Sequence, residues 1–207
     1  MQQITPYRTK NGALTALDNG GRFYNLFTKA NDGEISMAEL GKVAGAFVDT
    51  QRMFLYFEMA LAHLDAADTE AVIAAMSGEL RSLHHQCAPL RMSVARAREH
   101  GHAAQSVIVT GIPHHVDSKT EFSGFIMIPI QTGNVTSMTM IPIMDQYDVY
   151  EVRDEETDSD FLIAHARGSR QLPATPLRLG GVIKELQKKD DDSKHRFFLE
   201  TLFYSHA

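Results

Sequence analysis

Between Ser36 and Glu99 the apolar residues recur at alternating steps of three and four, a pattern that few architectures accept. Leu40, Val43, Phe47, Thr50, Phe54, Phe57, Leu61 and Leu64 form the first run; Ile73, Met76, Leu80, Leu83, Cys87, Leu90 and Val94 form the second. That spacing puts one residue per turn on a single stripe, so each run predicts a helix with a continuous apolar seam. Asp65-Ala66-Ala67-Asp68 separates the runs, and so short a link suits antiparallel neighbours. Residues 36–100 are therefore expected to form an antiparallel helical hairpin, with a bend or break at Pro89, which has no amide hydrogen to give. Gly41 and Gly45, flanked by Ala44 and Ala46, offer a face where another chain could approach closely.

Residues 1–35 read as an N-terminal arm, rich in turn signals, with a short helix at Arg22–Lys29. Gly33, Ile35, Ser36 and Glu39 fall at positions that resemble the glycine, aliphatic, ninth-position and glutamate sites of a twelve-residue calcium loop. Thr28 and Ala30 would then be the first and third ligands, and alanine has no ligand oxygen. The better reading is a capping box, Ser36 with Glu39, opening the first long helix.

After His102 the period changes to that of strands. Segments 106–111, 122–130, 136–144, 147–152, 161–166, 177–187 and 195–204 follow at short intervals, divided by Gly, Pro, Asp and Ser. No gap is long enough for a crossover helix, so residues 101–207 are expected to form an antiparallel β-sheet or small barrel of about seven strands. The fold class is thus α+β. Met-Ile-Pro-Ile occurs at 127–130 and again at 140–143, around a turn placed at Gln131–Asn134; that turn sets Met127 opposite Met138 and Phe125 opposite Met140. Gly180-Gly181 suggests a bulge, and Lys188–Lys194 a solvated hairpin loop.

Charge narrows the functions open to the chain. Residues 1–100 carry 10 Lys+Arg against 11 Asp+Glu, giving -1; residues 101–207 carry 10 against 15, giving -5. Neither half is basic, which disfavours a nucleic-acid partner held by bulk charge. No run is long enough to cross a bilayer, the N-terminus lacks a secretory pattern, and a cytoplasmic location is expected. Cys87 is the only cysteine, so no internal disulfide or cysteine-rich zinc site forms.

No nucleophile elbow, phosphate loop or dinucleotide fingerprint is present, and no catalytic residue, cofactor or metal is assigned. His84 and Cys87, one turn apart, and the group His100, His102, His114 and His115 match no metal motif. The leading expectation is a non-enzymatic interaction or assembly protein, a homo-oligomer or a partner of another protein. Its contacts would use the helical hairpin (Gly41, Gly45) or the Met-rich hairpin (Phe125, Met127, Met138, Met140). The runner-up is a β-barrel that binds or acts on a small anion, with Arg167, Arg170 and Arg178 as clamp and His114, His115 or His165 as proton carriers. A third reading is an OB-like barrel that holds single-stranded nucleic acid by stacking on Phe197, Phe198 and Tyr204.

Overall fold

The computed structural model describes residues 1–20, 29–116, 125–132, 135–153, 159–186 and 197–207. Among these residues there are seven helices and nine strands, with one mixed seven-stranded sheet and a separate two-stranded sheet, an α+β fold. The chain divides into two compact units, residues 2–90 and residues 91–207 together with Met1.

The unit of residues 2–90 contains β1 (Gln2–Gln3), α1 (Lys10–Leu17), α2 (Met37–Ala44), α3 (Thr50–Ala60), α4 (Ala66–Ala74) and α5 (Gly78–Cys87). The two long helices expected from the seams are therefore four short ones. Local backbone chemistry makes each break. Gly45 ends α2 in the left-handed conformation (φ 62°), with Ala46 N–H donating to the Gly41 carbonyl at 2.9 Å. Asp49 then caps α3 by accepting from Arg52 N–H. Asp65 caps α4 by accepting from Asp68 N–H. At the next break Ile35 lies alongside Met76: Ile35 N–H donates to the Ala75 carbonyl and Ser77 N–H to the Ile35 carbonyl, while the Ser77 hydroxyl caps α5. Part of the apolar phase survives these interruptions: Leu40, Phe54, Phe57, Leu61, Met76 and Leu80 share one core, whereas Phe47 and Leu90 of the same seams are exposed.

The predicted arm also differs. Thr9 accepts from Gly12 N–H and opens α1, which buries Ala13 and Leu17, four apart, in that core. The segment Arg22–Lys29, read as a short helix, lies outside the described residues except for Lys29. The capping box at Ser36 and Glu39 is present. Glu39 is fully buried, and its carboxylate accepts from Ser36 N–H, the Ser36 hydroxyl and Gly20 N–H at 2.8, 2.8 and 2.5 Å. Asp18 accepts from the amides of Asp32 and Gly33 and so holds the preceding turn. Both carboxylates are thus consumed by backbone donors.

Pro89 ends α5 outright, and β2 (Leu90–Met92) leads into the second unit. There α6 (Val94–His100) is capped by Ser93 and closed at Gly101. Val94, expected at the end of the helical seam, sits in the core of this unit with Val107, Val109, Tyr150, Ile163, Leu177 and Leu199.

Each of the seven predicted strand segments contains a strand: β3 (Ser106–His115), β4 (Phe125–Thr132), β5 (Val135–Pro142), β6 (Tyr147–Arg153), β7 (Asp160–Ala166), β8 (Leu177–Glu185) and β9 (Phe197–His206); Ile143 and Met144, expected in a strand, open the short helix α7 (Ile143–Gln146), and residues 122–124, 187 and 195–196 lie outside the described residues. The sheet is mixed rather than antiparallel. β3 pairs with β8 through its first half and with β6 through its second; β6 pairs with β7 and β8 with β9, all antiparallel. β7 and β9 are parallel, with Ile163 opposite Leu199. A crossover helix is not needed for that contact, because β8 brings the chain back between them. The pairings thus run β3, β8, β9, β7, β6 and return to β3. The predicted bulge lies between Gly180 and Gly181. The charged run Lys188–Lys194 lies outside the described residues.

β4 and β5 form the separate sheet, and their register corrects the predicted one. Met127 lies opposite Met140, Pro129 opposite Met138 and Phe125 opposite Pro142. Thr132 pairs with Val135, so only two residues connect the strands instead of four. The shift is two residues, an even number, and the same side chains still share a face.

Candidate functional site

β4 stands beside the outer surface of the strand circuit, and a cavity of about 650 Å³ opens between them. Ile126, Met127 and Pro129 form one wall. Val182 to Glu185 of β8, Ala103 and Ala104, together with Gln146, Tyr147, Ala166 and Phe198, line the rest. The size falls within the range of sites that hold a small molecule or a few side chains.

Strand register explains why these residues meet. Val182 is opposite Glu200 and Lys184 opposite Phe198, so all four project from one face of β8 and β9. Tyr147 is opposite Ala166 on β6 and β7, and Ala164 is level with Glu200 on β9. Phe198 is fully buried and meets the Tyr147 ring edge to face at 5.8 Å. The polar groups of this face satisfy one another. Tyr147 donates its hydroxyl to one Glu200 oxygen at 2.7 Å, and the Lys184 ammonium lies 2.6 Å from the other. Burial, then the hydrogen bond and charge of Glu200, push the Tyr147 hydroxyl far above its ordinary value, so it remains a proton donor. With Glu200 engaged from both sides, the groove presents chiefly apolar surface to an occupant.

Above the groove the hairpin is exposed. Met127, Met138 and Met140 are 42%, 61% and 47% accessible. Its opposite face is anchored at Ile126, which packs with Ile143, Met144, Val149, Leu162 and Phe198. From Phe125 to Pro142 the sequence has no Asp, Glu, Lys, Arg or His, in a chain that is 22% charged overall.

The three arginines of the expected anion clamp stand in different surroundings. Arg167 is exposed and lies 3.7 Å from Asp148. Arg170 is exposed in the loop before β8. Arg178, on β8, has a buried Nη1 without a hydrogen-bond partner; burial and then the neighbouring Arg91 lower its pKa. The histidines behave differently from one another. His114 is exposed, while His115 packs its ring edge-on to Tyr150 at 4.9 Å. His165 is fully buried: its Nδ1 lies 3.1 Å from the Ala166 carbonyl and its Nε2 3.3 Å from the Tyr150 hydroxyl. That hydroxyl accepts from Leu172 N–H, so it donates to Nε2, and Nδ1–H donates to Ala166. Every polar atom is thereby satisfied in the neutral imidazole. Burial lowers the pKa of His165, with the Ala166 carbonyl and Asp148 acting in the opposite direction.

In the helical unit His84 is also internal. Its Nε2 lies 2.9 Å from a Glu58 oxygen, and its ring meets Phe54 and Phe57 edge-on at 5.3 and 5.5 Å. Among the described residues no group of three or more His, Cys, Asp and Glu side chains could hold a metal ion, and no helix is long and apolar enough to cross a membrane.

Gly41 and Gly45 have separate surroundings. A Cβ on Gly41 would lie 3.1 Å from the Phe47 ring, whereas nothing lies within 4 Å of one on Gly45. The residues that sequence reasoning missed are Tyr147 and Glu200. They are 53 positions apart, and no local motif joins them; only the two-residue alternation of β6 and β9 could have placed them on an outer face. No protein-family model matches this chain, and no curated protein matches it.

Proposed function

We propose that this chain is a non-catalytic interaction module that takes an apolar segment of a partner protein between β4 and the outer face of β6 to β9. The observation that carries the reading is the uncharged hairpin, with three exposed methionines, beside a groove where Tyr147 and Lys184 are both engaged by Glu200. Charge is normally what keeps exposed strands from sticking to one another, and its absence here over two eight-residue strands favours a contact role. Methionine suits such a surface because its unbranched, polarizable side chain adapts to irregular partners.

Selection from a library of random displayed peptides on the immobilised full chain tests this. Apolar, extended peptides are expected to emerge, and Met127→Glu should weaken the best of them at least tenfold while leaving the melting temperature unchanged. Failure to enrich any peptide, or binding indifferent to Met127→Glu, overturns the reading.

A second reading rests on the strand circuit. Five strands joined in a ring are the pattern expected of a small Greek-key barrel of the OB type, whose outer surface and loops bind oligonucleotides or sugars. The charge of -5 (10 Lys+Arg against 15 Asp+Glu over residues 101–207) counts against a nucleic acid. Thermal melts with panels of nucleotides, acidic metabolites and sugars separate the two: a rise of several degrees with one class supports the barrel reading, and no rise with any removes it.

A further inference from the structure

One guanidinium of the strand unit is half-buried without a counter-ion. Arg98, Arg153 and Arg167 each lie against a carboxylate, at 2.7, 3.5 and 3.7 Å. Among the described residues no carboxylate pairs with Arg178, and its Nη1 is closed off from solvent without a hydrogen-bond partner. We propose that Arg178, with the hydroxyls of Thr110 and Ser205 and the charge of Arg91, binds a phosphate dianion. The site lies six residues along β8 from Lys184, about 20 Å at the rise of a strand, so it is separate from the groove and does not rest on the groove reading.

The pairing of three strands builds the site. Thr110 of β3 lies opposite Arg178, and Arg178 lies opposite Ser205 of β9. Facing residues share one side of a sheet. Val109, Leu177, Leu179 and Tyr204 occupy the core, so the alternation turns Thr110, Arg178 and Ser205 to the other side. Thr110 is exposed, while Ser205 is fully buried and its hydroxyl, too, has no hydrogen-bond partner. The row therefore runs from solvent to a closed end, and two of its polar groups lack an acceptor. Arg91, on β2 beside β3, adds a second positive charge that acts on Arg178. Residues 101–207 carry 15 Asp+Glu, yet none of the described ones pairs with Arg178. An oxyanion supplies the acceptor and the negative charge together. Both guanidiniums stay protonated near neutrality, so a dianion offsets both, where a carboxylate offsets only one. A phosphate also has oxygens enough to meet the arginine fork and still accept from hydroxyls.

Isothermal titration calorimetry of the full chain at low ionic strength tests the proposal, with inorganic phosphate and with phenyl phosphate as a monoester. Saturable binding at one site per chain is expected, and the tighter of the two shows whether the site prefers the free ion or an ester. Acetate should bind about tenfold more weakly or worse. Arg178→Gln should weaken phosphate by about tenfold or more, the worth of a charged hydrogen bond, and Ser205→Ala by about threefold. Arg153→Gln removes the same charge from an exposed site already paired with Glu151 and should change nothing. Phosphate should raise the melting temperature of the native chain and not that of Arg178→Gln. No saturable phosphate binding by the native chain, acetate as tight as phosphate, or an equal loss from Arg153→Gln overturns the proposal; if Arg178→Gln fails to fold, the native isotherm and Ser205→Ala decide it. Peptides selected on the groove should bind Arg178→Gln as they bind the native chain, so either reading can fail alone.

Discussion

Among the described glycines of the strand unit, Gly181 is the one where an added Cβ would meet its neighbour most closely. β8 and β9 shift register between Gly180 and Gly181: Gly180 faces Phe203, Gly181 faces Thr201, and Leu202 is the extra residue. A Cβ on Gly181 would lie 2.1 Å from the Glu200 carbonyl oxygen and 3.0 Å from the Thr201 Cα. Real Cβ atoms essentially never approach closer than 3.0 Å, so the strands would have to part by about 0.9 Å. The obstacle is backbone, and no rotamer can relieve it. Parting the strands that far lengthens a ladder hydrogen bond of about 2.9 Å beyond its useful range. Losing two such bonds at about 1 kcal/mol each, with packing strain of about 1–3 kcal/mol, puts Gly181→Ala at roughly 3–5 kcal/mol. At about 2–4 °C per kcal/mol the melting temperature should fall by roughly 6–20 °C. Differential scanning calorimetry measures this, with tryptic susceptibility of the β8–β9 region as a second readout. Gly78→Ala is the control: nothing lies within 4 Å of its Cβ, it begins α5, and it should gain about 0.4–1 kcal/mol. A Gly181→Ala variant melting within two degrees of the native chain would refute the bulge geometry and, with it, the placement of Glu200 beside the groove.

Glu39→Ala removes a buried carboxylate from three donors and should cost about 2–4 kcal/mol in urea unfolding of the helical unit; a loss below about 0.5 kcal/mol, the level of a surface substitution, counts against the extended capping box. His84→Ala empties the space between Phe54, Phe57 and Glu58 and should cost a similar amount, about 2–4 kcal/mol. His165 links stability to pH. Its folded pKa is lowered, so below about pH 6.5 the unfolded chain takes up a proton that the folded chain refuses. Stability should be level above that pH and fall below it until the folded pKa is reached, by at most about 1.4 kcal/mol per pH unit from this residue. His165→Gln should be less stable at about pH 8 yet lose less on going to about pH 5; parallel curves for the two proteins would sink the assignment.

The strands were legible because a two-residue period and Gly, Pro and Asp breaks report directly on a half-buried ladder. The helices were legible in phase but not in length. Leu40 to Leu80 share one core as the seam implies, yet periodicity is silent on continuity, and Gly45, Asp49 and Ser77 were cap signals inside an unbroken pattern. In the hairpin, a turn counted as four residues rather than two displaced the register, while the alternation kept the methionine face intact. The parallel β7–β9 contact and the Tyr147–Glu200–Lys184 cluster depend on residues far apart in the chain, and no local pattern encodes them. His165 could be named from the sequence but not located, since its neutral, enclosed state depends on Tyr150 and Leu172 arriving from other elements.

The chain leaves the main sheet after His115 and rejoins it at Tyr147, and these departure and return points are neighbours: His115 lies opposite Tyr150, and Val116 N–H donates to the Val149 carbonyl. The described elements between them, β4, β5 and α7, belong to an excursion that begins and ends at the same doorway. Lengthening, trimming or exchanging it reroutes no strand, and the closure entropy of such a loop grows only slowly with its length. A scaffold built this way can accept a rewritten appendage while the pairings of the main sheet stay as they are.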